Sequence, residues 1–155
     1  MEVSREQWGA GWVRGRMLRG EAEYALDEKG RVVIPPKFRP ALGERVIVTR
    51  WIDPCLSVFP PDAWQSLEEK IRNRPVRNME FVRMVWAAEE CELDRQGRIF
   101  IPPHFREYAG IARAVTIIGM GTRLELWSTP VWRSRMKKIA KAPEALREHL
   151  EDLTL

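Results

Sequence analysis

The chain repeats itself, and the repeat limits what it can fold into. Residues 26–39 read LDEKGRVVIPPKFR and residues 93–106 read LDRQGRIFIPPHFR, nine of fourteen positions being identical at an offset of 67. The identical pairs are Leu26/Leu93, Asp27/Asp94, Gly30/Gly97, Arg31/Arg98, Ile34/Ile101, Pro35/Pro102, Pro36/Pro103, Phe38/Phe105 and Arg39/Arg106. Gly43 and Gly110 keep the offset; after one inserted residue it becomes 68, aligning Leu56/Leu124, Trp64/Trp132, Lys70/Lys138 and Ile71/Ile139. Each repeat is a unit of roughly 50 residues, too small to bury a good core alone. The two are expected to pair about a pseudo-two-fold axis and share one core.

Both units read alike. Residues 23–26 and 32–34 have strand character, the second run being β-branched. Between them, Asp27-Glu28-Lys29-Gly30 fits a type I turn closed by a G1 bulge. Asp at the first position can bond the backbone two residues on, and Gly at the fourth tolerates positive φ. Asp94-Arg95-Gln96-Gly97 repeats the pattern, so Asp94, Gly30 and Gly97 are read as turn-shaping. The Pro-Pro pair stops the strand and starts one or two helical turns. Residues 46–48 and 56–59 predict further strands, matched by 115–118 and 124–127. A helix closes each unit. The first starts near Pro61 with Ala63, Trp64, Leu67 and Ile71 on one stripe. The second follows Ser128 as N-cap, with Trp132, Met136 and Ile139.

Two segments stand outside the repeat. Met79, Phe81, Val82, Met84, Val85 and Trp86 make a connecting helix apolar on most sides, expected to be buried between the halves or against another subunit. From Pro143, a last amphipathic helix carries Leu146, Leu150 and Leu153. The expected organisation is an N-terminal extension (1–16), unit 1 with its closing helix (17–74), the connecting helix (75–87), unit 2 with its closing helix (88–141) and the C-terminal helix (142–155).

Composition removes several function classes. The chain of 155 residues is 45% hydrophobic and 31% charged, an ordinary globular mixture. It lacks an apolar run of the ~20 residues needed to span a bilayer, so no membrane partner is expected. The opening residues lack the ~7–15-residue apolar stretch of a signal peptide, and Cys55 and Cys91 form no CxxC. An intracellular location is the expectation. No metal spacing, phosphate loop or nucleophile elbow is present. No catalytic residue, cofactor, metal or small-molecule substrate is therefore assigned. His104 and His149 read as surface positions, Cys55 and Cys91 as buried thiols. Most of the seven tryptophans read as core or interface residues. The run Arg133, Arg135, Lys137, Lys138 and Lys141 reads as one solvated helix face.

A net charge of +4 permits a nucleic-acid partner without demonstrating one. If DNA is bound, a few placed cations must do it. In each turn Asp and Arg face one another across the loop, an ion pair contributing about 0.2–1 kcal/mol. Two readings stay open. The turn holds shape only, or Arg31 and Arg98 meet phosphates or guanine edges, with Lys29 and Arg95 exposed beside them. Arg14, Arg16 and Arg19 are candidates for backbone contacts.

The segments MLRGEAEYALDEKGRVVIPPKFR, CLSVFPPDAW, AAEECELDRQGRIFIPPHFREYAGI and RLELWSTPVW together resemble the MraZ family of bacterial transcriptional regulators, from Met17 onward. The paired DxxxR turns, the twin IPPxFR segments and the LxxW-type strand-to-helix joints stand in the family's order. The resemblance implies an α+β fold of two tandem SpoVT-AbrB-like half-domains. Their swapped hairpins would pair about the pseudo-two-fold axis into a double-ψ or β-barrel-like core with flanking helices. It implies double-stranded DNA as partner, at repeated promoter boxes upstream of the division and cell-wall gene cluster. It also implies a repressor role, a ring-like homo-oligomer and a cytoplasmic, nucleoid-associated location. The family's DxxxR motif carries over as Asp27 with Arg31 and Asp94 with Arg98. The DNA-binding set expected on these grounds is Asp27, Lys29, Arg31, Arg95, Arg98 and Arg19. The chain departs from the family's pattern in the sixteen residues before Met17 and in Leu18, where Phe is common. A ring-forming scaffold on the same fold, without DNA, is the alternative.

Overall fold

A turn closed by Asp and Gly normally joins two strands that pair with each other. Here it does not. The computed structural model describes residues 17–154; the N-terminal extension, with Arg14 and Arg16, lies outside the described residues. Strand β1 (Leu18–Ala25) leads into the first turn and β2 (Arg31–Val33) leaves it. Yet β1 pairs with β7 (Ala114–Gly121) of the second unit, and β2 pairs with β6 (Arg98–Phe100). In exchange β5 (Glu89–Glu92) of the second unit pairs with β3 (Arg45–Arg50) of the first. The local hairpin that the residues suggest is corrected to a swapped one, as the family resemblance implies. The turn needs only a closing backbone bond, and Asp27 N–H donates to Arg31 O at 2.8 Å. Past that point each strand takes its ladder partner from the other unit.

Strands β4 (Leu56–Phe59) and β8 (Leu124–Ser128) pair with one another at the centre. Among the described residues the order is β1-β7-β8-β4-β3-β5, beside the two-stranded ladder β2–β6. Exchanging the units reverses that order onto itself, which is the pseudo-two-fold axis in strand form. Register refines the alignment. Ile47 faces Phe59 as Thr116 faces Trp127, so β3 and β7 stand at an offset of 69, and β4 and β8 at 68. Two residues enter after Gly110 and one is lost in the next connection, where the sequence alone suggests a single insertion.

Both sheets close on one core. Val32, Ile34, Ile99 and Ile101 meet Val46, Val48, Leu56, Val58, Val115, Ile117, Leu124 and Leu126 there. After each Pro-Pro pair the chain turns helical: a 3-10 turn (Pro36–Phe38) into α1 (Arg39–Leu42), and α4 (Pro103–Ala109). These turns bury Phe38 and Phe105, each contributing roughly 2–3 kcal/mol by leaving water.

Helices cover the outside unequally. Helix α2 (Pro61–Asn73) and α3 (Met79–Trp86) close over β3 and β4, where Ile47, Phe59, Ala63, Trp64 and Val85 form a second cluster. Asn78 caps α3, its Oδ1 accepting from the N–H groups of Glu80 and Phe81. The expectation that α3 is buried on most sides fails within one chain. Only Val85 is buried, and Met79 and Trp86 are each 52% exposed. One sheet offers α3 one face. In unit 2, α5 (Thr129–Ala140) follows Ser128, whose side chain makes no cap hydrogen bond; Thr129 instead shares a 2.9 Å hydroxyl bond with Thr116. The α5 cations are not simply solvated. Arg133 binds Glu23, and Arg135 binds Asp53 while lying over the Trp127 ring. Helix α6 (Pro143–Asp152) buries no residue, and Leu146, Leu150 and Leu153 all face out. No helix among the described residues is long and apolar enough to cross a membrane.

Candidate nucleic-acid interface

The ladder β2–β6 carries the candidate site because of its pleat. Arg31 faces Phe100, Val32 faces Ile99 and Val33 faces Arg98. Alternation sends Val32 and Ile99 into the core, where both are buried. It sends Arg31, Val33, Arg98 and Phe100 to the other face. Arg31 and Arg98 thus stand diagonally on one outward surface of a two-stranded ribbon. A turn sits at each end of it.

Each turn holds its arginine in the same way. Asp27 Oδ1 accepts from the N–H groups of Lys29 and Arg31, both at 2.9 Å, and Oδ2 accepts from Arg31 Nε at 2.7 Å. Asp94 repeats this with the N–H groups of Gln96 and Arg98, and with Arg98 Nε at 2.8 Å. The Arg31 backbone N–H is the largest cause holding the Asp27 carboxyl below its ordinary range; slight burial opposes it, and the guanidinium helps. The Arg98 N–H does the same for Asp94. Both carboxylates therefore stay charged at neutral pH. The Nε bond uses one of five guanidinium donors, which leaves four on the terminal nitrogens of each arginine. Arg98 Nη1 also lies 3.8 Å from Asp27 Oδ2, so the two turns touch electrostatically. Gly30 and Gly97 take φ +79° and +75°, the left-handed geometry of the bulge.

The candidate residues are not all brought together. Lys29 and Arg95 are exposed on the two turns, beside Arg31 and Arg98. Arg19 is exposed but sits opposite Met120, six residues before the end of β1 and roughly 20 Å away along an extended strand. It is not part of the ribbon surface.

Two further arginines, to which the sequence alone assigns no role, reach the turns. Arg39 Nε donates to Ile34 O at 2.9 Å and Nη2 donates to Gln96 O at 3.2 Å, so a unit 1 side chain lies over the unit 2 turn. Arg106 of unit 2 lies against Gly30 of the unit 1 turn. Their signal was available: Arg39 and Arg106 are identical positions of the repeat.

The thiols and histidines take no part. Cys55 is fully buried, and burial pushes its thiol far up. Cys91 is only partly buried, contrary to expectation, because β5 is an edge strand; burial, then Glu89 and Glu90, push it up to about 11. His104 is exposed, with Nε2 3.5 Å from Glu89 Oε1.

The chain is similar in sequence to known proteins. A family described as "MraZ protein, putative antitoxin-like" matches residues 17–80 and again 84–153. The protein named Transcriptional regulator MraZ from Carboxydothermus hydrogenoformans is 45% identical over 143 residues, covering 90% of this chain and 100% of that protein. Those of the same name from Caldanaerobacter subterraneus and Syntrophomonas wolfei are 43% and 44% identical over 143 and 141 residues. They cover 90% and 88% of this chain, and 100% and 99% of their own lengths.

Proposed function

The chain belongs to the MraZ family of transcriptional regulators, and on that premise we propose that it regulates transcription by gripping double-stranded DNA with the β2–β6 ribbon. The carrying observation is the pair of carboxylate-held arginines on one outward ribbon face. A two-stranded ribbon fits the major groove, where arginine matches the acceptor pair of guanine. Asp27 and Asp94 aim Arg31 and Arg98. Lys29 and Arg95 contact the flanking phosphates. Arg19, from the far end of β1, reaches backbone beyond the ribbon.

The target in this reading is a set of repeated promoter boxes upstream of the division and cell-wall gene cluster, and the sign is repression. The protein acts in the cytoplasm at the nucleoid, without a catalytic step. It acts as a ring-like homo-oligomer, because one ribbon reads a short stretch and repeated boxes call for repeated ribbons. Exposed apolar surface supports self-association: Met79 and Trp86 on α3, and Leu146 and Leu150 on α6 with Leu153 just past its end. Charge supports it too. Residues 70–83 carry five cations and one acid, whereas 143–152 carry four acids and one arginine.

That same apolar surface favours the second reading, a ring scaffold that never touches DNA. Size-exclusion chromatography with and without DNA from upstream of the protein's own gene separates the two. The regulator co-elutes with that fragment and not with a shuffled one. The scaffold elutes as a large assembly indifferent to both.

A further inference from the structure

The two turns are not independent, because each is roofed by an arginine of the other unit. A Cβ added to Gly97 would fall among the guanidinium atoms of Arg39, and one on Gly30 would meet Cζ, Nη2 and Nη1 of Arg106 at 3.1–3.3 Å. Each guanidinium thus lies directly on a turn glycine. The backbone repeats the crossing: Ile34 N–H donates to Gly97 O at 2.8 Å, and Ile101 N–H donates to Gly30 O at 2.9 Å. Arg39 adds one more tie by bonding Ile34 O and Gln96 O at once. It bridges its own strand end to the opposite turn.

We infer that Arg39 and Arg106 are positioning residues which clamp the opposite unit's turn, Arg39 setting the Arg95–Arg98 turn and Arg106 setting the Lys29–Arg31 turn. Positive φ is what favours glycine at both turns, and a side chain at Gly97 would displace the Arg39 guanidinium whereas one at Gly30 would only crowd that of Arg106. Lysine cannot substitute for the clamp, because an ammonium has no flat face and no fork to bridge two carbonyls. The crossing makes the two turns one recognition element. The arginine that serves one contact resides in the repeat that presents the other.

This inference rests on the turns being the DNA contacts, and its test has one arm that does not. Amide hydrogen exchange on the intact chain reads the clamp alone. Arg39→Ala and Arg39→Lys are both expected to raise exchange about tenfold at Gln96, Gly97 and Arg98, the loss for one or two ordinary hydrogen bonds. Lys29, Gly30 and Arg31 keep their rates. Arg106→Ala gives the mirror result, smaller because Arg106 mainly stacks. Equal rises in both turns, or in neither, overturn the inference. In the DNA arm, Arg39→Lys weakens binding to the upstream fragment about tenfold, and log Kd keeps the wild-type dependence on log salt concentration. A salt slope lowered by about one makes Arg39 a phosphate contact and overturns the positioning role. If the wild-type chain ignores DNA while the exchange pattern holds, the clamp stands and the DNA reading falls.

Discussion

The two units agree inside and disagree outside. Their turns, Pro-Pro stops and inward strand positions correspond, down to matched cross-unit bonds from Leu26 N–H to Arg113 O and from Leu93 N–H to Glu44 O. The outer faces diverge. In unit 1, Ile47 and Phe59 of the sheet pack against Trp64 and Leu67 of α2 and Val85 of α3. The matching positions in unit 2 are Thr116, Trp127, Trp132 and Arg135, and no second helix lies over them among the described residues. There Glu125, only 5% exposed, is held by Arg123 and the Trp127 indole N–H. The inner surface is shared by both units, so a change in one must suit the other. The two outer faces are covered by different elements, and unit 2's is tied to unit 1 mainly through polar contacts such as Arg133–Glu23 and Arg135–Asp53, so they diverge.

That contrast is breakable at matched positions. The largest difference belongs to Trp64 and Trp132. Trp64→Ala empties a buried site and costs about 3–5 kcal/mol, whereas Trp132→Ala loses partial burial and one bond to Glu21 and costs about 1 kcal/mol. Urea unfolding of the two variants reads the gap; equal losses contradict the comparison. Next come Glu125 and its unit 1 counterpart Ser57. Removing Glu125 strands the largely buried Arg123 and costs about 2–3 kcal/mol. Ser57 Oγ is buried with no partner among the described residues, so Ser57→Ala is neutral or stabilising within about 0.5 kcal/mol. Thermal midpoints should move far for one and hardly for the other.

A smaller difference separates two helix starts that the repeat does not match, those of α3 and α5. Asn78→Ala removes two accepted N–H bonds from the start of α3 and costs about 1 kcal/mol. Ser128→Ala removes no cap bond. The smallest effect is common to both units. The Asp27 and Asp94 carboxyls are held below their ordinary value in the fold. Their stabilisation is therefore complete above the unfolded value of 3.8 and disappears as pH falls through the lowered folded value. An Asp27→Asn, Asp94→Asn double variant should show a shallower loss of stability below that pH in acid titration.

Much of this is legible in the residues. The repeat implies two units and one core, and Asp-x-x-Gly implies the turn. Strand partnership is not legible, since a turn looks the same whether its strands pair with each other or are exchanged. The swap follows from the family resemblance instead. The exposure of α3 escapes the sequence because apolar periodicity reports what a helix could bury, not whether a neighbour is there. The clamp escapes it because Arg39 and the Gln96 carbonyl it binds lie 57 residues apart, and no local pattern spans that distance.

The central claim is that the ribbon arginines hold DNA, and the most direct measurement is fluorescence anisotropy of the upstream fragment as salt is varied. The Arg31→Ala, Arg98→Ala double variant should lose discrimination against a shuffled fragment by about 1–3 kcal/mol per arginine if each reads a base. If they contact phosphates, affinity should fall and the salt dependence of binding should weaken by about one unit of slope per arginine. A folded double variant that binds both fragments as wild type does, at every salt concentration, contradicts the account.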